Sequence, residues 1–199
     1  MKLVFASNNS HKLEEVRQIM PTGVEVLSLR DIGFKAEIDE TGSTLAENSR
    51  IKAEIVWTFI NSQMLNTIDG VFADDTGLEI DALGGKPGVY TARWSGCTGN
   101  EQEIFAANRA KALSELAGIC NRGAQFKTVI TLIRANETIQ VEGIVRGHIT
   151  ENERGEGGFG YDPVFVPEGY DKTFAELPAT TKNNISHRAL ALTKLVDIL

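Results

Sequence analysis

Apolar and polar positions follow two rhythms along this chain, and the switches between them mark out its elements. Leu3-Val4-Phe5-Ala6 is a short continuous apolar run of the kind a buried strand shows. Leu13, Val16, Ile19 and Met20 then recur at helical spacing until Pro21 stops the helix. Val24 to Leu29 predicts a second strand. Thr44-Leu45-Ala46-Glu47 has the spacing of a capping box, and the helix it opens is expected to bury Ile51, Ile55 and Phe59 while Glu47, Arg50 and Glu54 face solvent. Gly70 to Ala73 reads as a strand, and after Asp74-Asp75-Thr76-Gly77 a second run covers Leu78 to Leu83. Asn100 to Glu103 caps a helix carrying Ile104, Phe105, Ala112, Leu113 and Leu116. Phe126 to Ile133 and Ile139 to Ile149 alternate as paired antiparallel strands turning at Asn136-Glu137. A last helix, with Ser186 as its N-cap, carries Leu192, Leu195, Val196 and Leu199 on one stripe. Early helix and strand alternation followed by a long hairpin predicts one α/β domain over residues 1–199, a central mixed sheet flanked by helices, with two lobes.

The chemistry lies where these rhythms break. Ser7-Asn8-Asn9-Ser10-His11-Lys12 joins a strand to a helix start, where backbone N–H groups, the helix dipole and the Lys12 charge can cradle a phosphate; an ordinary Ser or Asn cap explains the same residues without Lys12. Asp39 and Glu40 sit just before a helix, where acids complement the dipole or await a cation. Asp74 and Asp75 are adjacent carboxylates at the end of a buried run, which either form a polar turn or need a cation, a proton or aimed donors to offset their repulsion. Gly155-Glu156-Gly157-Gly158-Phe159-Gly160 matches Gly-x-Gly-x-x-Gly, but Tyr161-Asp162-Pro163 cannot open the helix a dinucleotide fold requires. The segment is read instead as a glycine-rich loop delivering Phe159, Tyr161 and Asp162, whose aromatics can stack on a flat ligand. Lys182, His187 and Arg188 gather positive charge at a helix start, where the dipole disfavours cations and an anionic or electron-rich ligand would resolve the tension.

Composition narrows the classes. A net charge of −7 and a pI near 5.1 argue against a sequence-independent grip on nucleic acid. The N-terminal apolar run is too short for a signal peptide, and the longest uncharged stretch, Ile55 to Ile68, is too often interrupted by polar residues to span a membrane, so a cytoplasmic protein is expected. Cys97 and Cys120 lie far apart and are expected to be packing residues in a reducing compartment. Carboxylates as the only candidate ligands favour Mg²⁺, with Mn²⁺ as the alternative, over zinc. Phosphate groups at one end and an aromatic ring at the other describe a nucleotide.

Six ordered segments together resemble the inosine triphosphate pyrophosphatase family, the non-canonical purine nucleoside triphosphate pyrophosphatases. They are Ser7-Asn8-Asn9-x-x-Lys12, Asp39-Glu40-Thr41-Gly42, Ala73-Asp74-Asp75-Thr76-Gly77-Leu78, Leu83-Gly84-Gly85-x-Pro87-Gly88, Gly158-Phe159-Gly160-Tyr161-Asp162-Pro163 and Lys182-x-x-x-Ser186-His187-Arg188. The one departure is Ser7-Asn8 in place of the commoner Thr-Gly pair. The resemblance implies hydrolysis of ITP, dITP and XTP to the monophosphate and pyrophosphate, by a homodimer with an active-site cleft between two lobes. It implies Glu40 and Asp75 as Mg²⁺ ligands and Asp75 as acceptor of a proton from water, with Lys12 on the phosphates; because a metal-bound carboxylate is a poorer base, Asp74 is kept as a partner in proton handling. Ser7, Asn8, Asn9, Ser10 and His11 would complete the phosphate end and Thr76 would also bind substrate, with Lys182 assisting at the phosphates or beside the base. Phe159, with Gly160, Tyr161 and Asp162, would meet the purine, and His187 and Arg188 its 6-oxo edge. Two rivals are a haloacid dehalogenase-type phosphohydrolase, whose Asp-x-Asp spacing is absent here, and a nucleotide sensor, which has no need of the carboxylate pair.

Overall fold

The computed structural model describes residues 1–135 and 137–199; the turn expected at Asn136-Glu137 therefore falls partly outside the described residues. In chain order the elements are β1 (Lys2–Phe5), α1 (Ser10–Ile19), β2 (Glu25–Leu27), α2 (Leu45–Ser62), β3 (Gly70–Ile80), β4 (Lys86–Pro87), α3 (Glu101–Glu115), β5 (Gly123–Arg134), β6 (Glu137–Ile149), β7 (Phe165–Pro167), α4 (Ala179–Ile185) and α5 (His187–Val196). The strands hydrogen-bond in the order β2-β1-β3-β5-β6-β7, with β4 also on β3. β1 runs parallel to β2 and β3, whereas β4 on β3 and β7 on β6 are antiparallel, so the sheet is mixed as expected. Two compact units divide the chain: residues 1–75, 128–143 and 188–199 form one, and 76–127 with 144–187 form the other.

In the first unit, side-chain alternation along the strands sorts the core into two layers. Leu3 and Phe5 of β1 and Phe72 of β3 pack with Val16 of α1 and Ala191, Leu192 and Leu195 of α5. Val4, Ala6, Val71 and Ala73 point the other way and pack with Ala53, Val56 and Ile60 of α2. The strand register, Val4 opposite Val71 and Phe5 opposite Phe72, keeps the two faces aligned. Phe5 and Phe72 stack with ring centroids 5.0 Å apart, each ring contributing on the order of 2–3 kcal/mol by burial.

The second unit is built on Leu78 and Ile80 of β3, Ala112 and Leu116 of the α3 region, Phe126, Ile149 and Phe165. Asn100 caps α3 as expected, and its pairing with Glu103 completes a capping box. Short 3-10 turns flank this core, and residues 155–160 lead into one of them and then into β7 rather than into an α-helix.

Four expectations are corrected. Of the two readings of Asp74-Asp75-Thr76-Gly77 the polar turn is excluded, because β3 runs unbroken through it for 11 residues. The buried stripe of α2 is Leu45, Asn48, Ser49, Lys52, Ala53, Val56 and Ile60, while Ile55 is exposed. Lys182 does not lie in a loop before the last helix but on α4, whereas Ser186, the C-cap of α4, stands directly before α5 at the position expected of it. Cys97 and Cys120 are free thiols at exposed turn and loop positions rather than packing residues.

Candidate active site

β3 is the element from which the site is built. Asp74 shares the parity of Phe72 and so faces α1 and α5; Asp75 shares that of Val71 and Ala73 and faces α2. Adjacent in sequence, the two carboxylates therefore leave the strand in opposite directions and are neutralised separately.

Asp74, 2 % exposed, accepts from Lys12 Nζ at Oδ1 (2.9 Å) and from Arg188 Nε at Oδ2 (3.2 Å). Arg188 also pairs with Glu15 of α1 through Nη1. Burial opposes the charged form of Asp74, but Lys12 and Arg188 outweigh it and hold the carboxyl far below its ordinary range. Burial in turn lowers the Lys12 pKa against the pull of Asp74. Lys12 reaches this position because Asn9 caps α1, its side chain accepting from the Lys12 backbone N–H at 3.0 Å. Ser7 Oγ accepts from the Asn9 N–H at 3.2 Å, which orders the loop that also holds Asn8; Ser10 and His11 begin α1 on its exposed side.

On the opposite face, α2 grips Asp75 at both oxygens. Asn48 Nδ2 donates to Oδ2 (3.2 Å), and Lys52 Nζ lies 3.5 Å from Oδ1 and 2.7 Å from Glu40 Oε1. Burial raises the Asp75 pKa, and Lys52 only partly counters it; Lys52 itself is pushed up, since Asp75, Asp74 and Glu40 together overcome its own burial. Glu40 and Asp75 thus present one oxygen each to a single cationic atom, and Lys52 occupies the place of a cation between them. Two converging carboxylates with hard oxygen donors fit Mg²⁺, which takes one or two protein carboxylates and completes its shell with water and phosphate. Among the described residues no cluster of three His, Cys, Asp or Glu side chains forms an all-protein cage.

In the second unit Asp162 is the organising anion. Its Oδ2 accepts from the Phe159 backbone N–H (2.7 Å) and from Lys182 Nζ (2.6 Å), and the Lys182 ammonium lies 4.8 Å from the centre of the Phe159 ring. Arg109 of α3 donates through Nη1 to the Gly160 carbonyl (3.0 Å), and its Nε lies 2.9 Å from Glu153 but off the hydrogen-bond axis. Tyr161 is buried with its hydroxyl donating to the Thr91 carbonyl (3.0 Å). His187 is buried and stacks on Phe126, centroids 4.8 Å apart. Thr76 continues β3 beyond Asp75, half-buried.

The structure thus brings Lys12, Asp74 and Arg188 together, and Glu40 with Asp75, in the first unit; Phe159, Gly160, Tyr161, Asp162 and Lys182 form a second group in the other. Lys52, Asn48, Glu15 and Arg109 were not singled out from the sequence. Asn48 and Lys52 had one legible sign, a polar pair four residues apart that fits the same helical stripe as Leu45, Ala53, Val56 and Ile60.

A single β-strand carries two oppositely directed carboxylates, each met by cations from different helices, a charge arrangement suited to a charged ligand. The chain belongs to the Ham1 family, whose model matches residues 3–198. It is 47% identical over 199 residues to the dITP/XTP pyrophosphatase of Flavobacterium johnsoniae, covering 100% of this chain and 98% of that protein. With the dITP/XTP pyrophosphatase of Bacillus subtilis the identity is 48% over 200 residues, covering 98% and 96%. The solved structure of the Staphylococcus aureus Ham1 protein superposes with a TM-score of 0.86 at 37% identity, covering 100% of this chain and 97% of that one.

Proposed function

We propose that this protein hydrolyses deaminated purine nucleoside triphosphates, dITP, ITP and XTP, to the monophosphate and pyrophosphate, clearing them from the nucleotide pool. The observation that carries the reading is the split environment of Asp74 and Asp75. Neighbouring groups pushed in opposite directions take opposite roles. Asp74, locked as an anion, anchors Lys12 and Arg188. Asp75, made more basic by burial, accepts the proton of the attacking water.

Lys12 and the N-terminus of α1 meet the phosphate oxygens, and Lys52 adds a second cation beside Asp75. Mg²⁺ held by Glu40 and Asp75 would supply charge neutralisation at the phosphates and a more acidic bound water. Asp75 is a weaker base when bound to a cation, so its two roles are weighed by how firmly Lys52 and Asn48 fix its oxygens. Phe159 stacks on the purine, Asp162 and Lys182 hold that loop in place, and His187 and Arg188 supply donors to the 6-oxo group. Donors fixed toward a carbonyl oxygen reject the amino group of adenine by factors on the order of 10⁴. The rest of the reading is a homodimer in the cytoplasm that binds neither nucleic acid nor membrane; among the described residues no helix is long and apolar enough to cross a membrane.

Pyrophosphate release from dITP, XTP, GTP and ATP, each with Mg²⁺ and with chelator, tests this directly. Metal-dependent release from dITP and XTP with little from ATP is expected. Equal rates on all four would remove base selection, and no release would overturn the enzyme reading. Arg109→Ala offers a finer check on the purine end. Losing a charged donor to the Gly160 carbonyl should raise KM for dITP about tenfold with little change in kcat. An unchanged KM would separate that loop from substrate binding.

A further inference from the structure

Asn48 is fully buried on α2, one turn from Lys52. Its amide oxygen accepts from the Gly42 backbone N–H (2.7 Å), and its amide nitrogen donates to Asp75 Oδ2 (3.2 Å). One neutral side chain therefore joins the strand that carries Asp75 to the loop that carries Glu40, two residues before Gly42. The loop comes so close that a Cβ at Gly42 would lie 2.6 Å from Asn48 Oδ1 and 2.9 Å from the Asn48 backbone nitrogen. Only glycine permits that approach.

We infer that Asn48 is a positioning residue: it fixes the aim of the Asp75 carboxylate and, through Gly42, the seat of Glu40, so that both present an oxygen to the same cation. No charged residue could replace it. An acid at this position would face Asp75 directly, and a base would bring a second cation beside Lys52. An amide is the side chain that donates to a carboxylate and accepts from a backbone N–H at once. Partners behind a ligating carboxylate commonly govern metal affinity and activity by 10- to 100-fold, roughly the effect expected here. A plain helix-to-loop brace would hold Gly42 equally well but would have no influence on what Asp75 binds.

The inference rests on the proposed function for the cation seat at Glu40 and Asp75 and for its rate readout. The primary test is a cycle of Mn²⁺ binding, followed by electron paramagnetic resonance, on wild type, Asn48→Leu, Asp75→Asn and the double variant. If Asn48 acts through Asp75, Asn48→Leu weakens Mn²⁺ binding about tenfold or more in the wild-type background and changes it little once Asp75 is Asn. Equal losses in both backgrounds, or none in the first, overturn the inference. Should Asn48→Leu fail to fold, Asn48→Asp decides: it keeps an acceptor for Gly42 but places a carboxylate against Asp75. Pyrophosphate release from dITP should then fall at least about tenfold while hydrogen exchange at the Gly42 amide is unchanged. A wild-type rate overturns the inference. Inactive wild-type enzyme would refute the proposed function alone, because the Mn²⁺ cycle would still report the coupling between Asn48 and Asp75.

Discussion

Asp75→Asn is expected to lower kcat for pyrophosphate release from dITP by about 10³-fold or more, with the protein still folded. The loss combines two effects. An amide cannot accept the proton of the attacking water, a contribution of roughly 10² to 10⁴ in other enzymes, and it is a poor ligand for a hard cation. The fold should tolerate the change for a reason visible in the native site. Burial disfavours the charged form of Asp75, so its folded-state pKa lies above the unfolded value. The ionised carboxylate is therefore a cost to stability that grows as pH rises through the unfolded pKa toward the folded one, and Asn removes it. Asn also keeps an oxygen for the Asn48 donor, and Lys52 keeps Glu40 as a partner. Thermal denaturation should place Tm within about 4 °C of wild type. A variant with wild-type kcat would take Asp75 out of the mechanism, and one that is inactive because it unfolds would show that the site's charges were misjudged.

The parts of this site that lie on strongly periodic or capped segments were legible before the structure. Asn9 and Lys12 follow from a strand that empties into a helix start, and the helix caps at Thr44 and Asn100 were written in four residues each. What could not be read was direction. Asp74-Asp75 left a polar turn open beside a charge-compensated site because two acids in a strand interior are costly, and nothing local shows that cations from α1, α5 and α2 wait on opposite faces. The buried stripe of α2 was misplaced for the same physical reason. A hydrophobicity pattern assigns Asn48 and Lys52 to solvent, yet both are buried because they serve Asp75, and Ile55 is left outside. Helix α4, at seven residues, is too short to show a period. Arg188 illustrates the remaining gap: its charge was plain, but its partners Asp74 and Glu15 are 114 and 173 residues away. Pairing across such separations is set by the register of β1 with β3 and by the packing of α5 on that face, neither of which a local window contains.

Asp74→Asn should do the reverse of Asp75→Asn, and damage the fold as much as the rate. Asp74 is the anion that compensates two buried cations, Lys12 and Arg188. Asn preserves the shape and leaves both cations in place, with Glu15 still paired to Arg188 but the shared anion between Lys12 and Arg188 gone. Removing one partner from a buried ionic cluster typically costs about 3–5 kcal/mol, because the remaining charge keeps its desolvation penalty. For a chain of this size that corresponds to a fall in Tm of roughly 6–20 °C. The pH dependence carries the same signature. The Asp74 pKa is depressed in the folded state, so its contribution is fully present above the unfolded value and is lost as pH falls below it. Wild type should therefore lose stability on acidification more steeply than Asp74→Asn does. Activity should fall as well, since Lys12 loses the carboxylate that aims it, and KM for dITP should rise with the loss of a fixed phosphate contact. Calorimetry across pH and steady-state kinetics on the same samples separate the outcomes. A variant as stable as wild type at neutral pH would mean that Lys12 and Arg188 find other anions or water, and that Asp74 is not the anchor of this face of the strand.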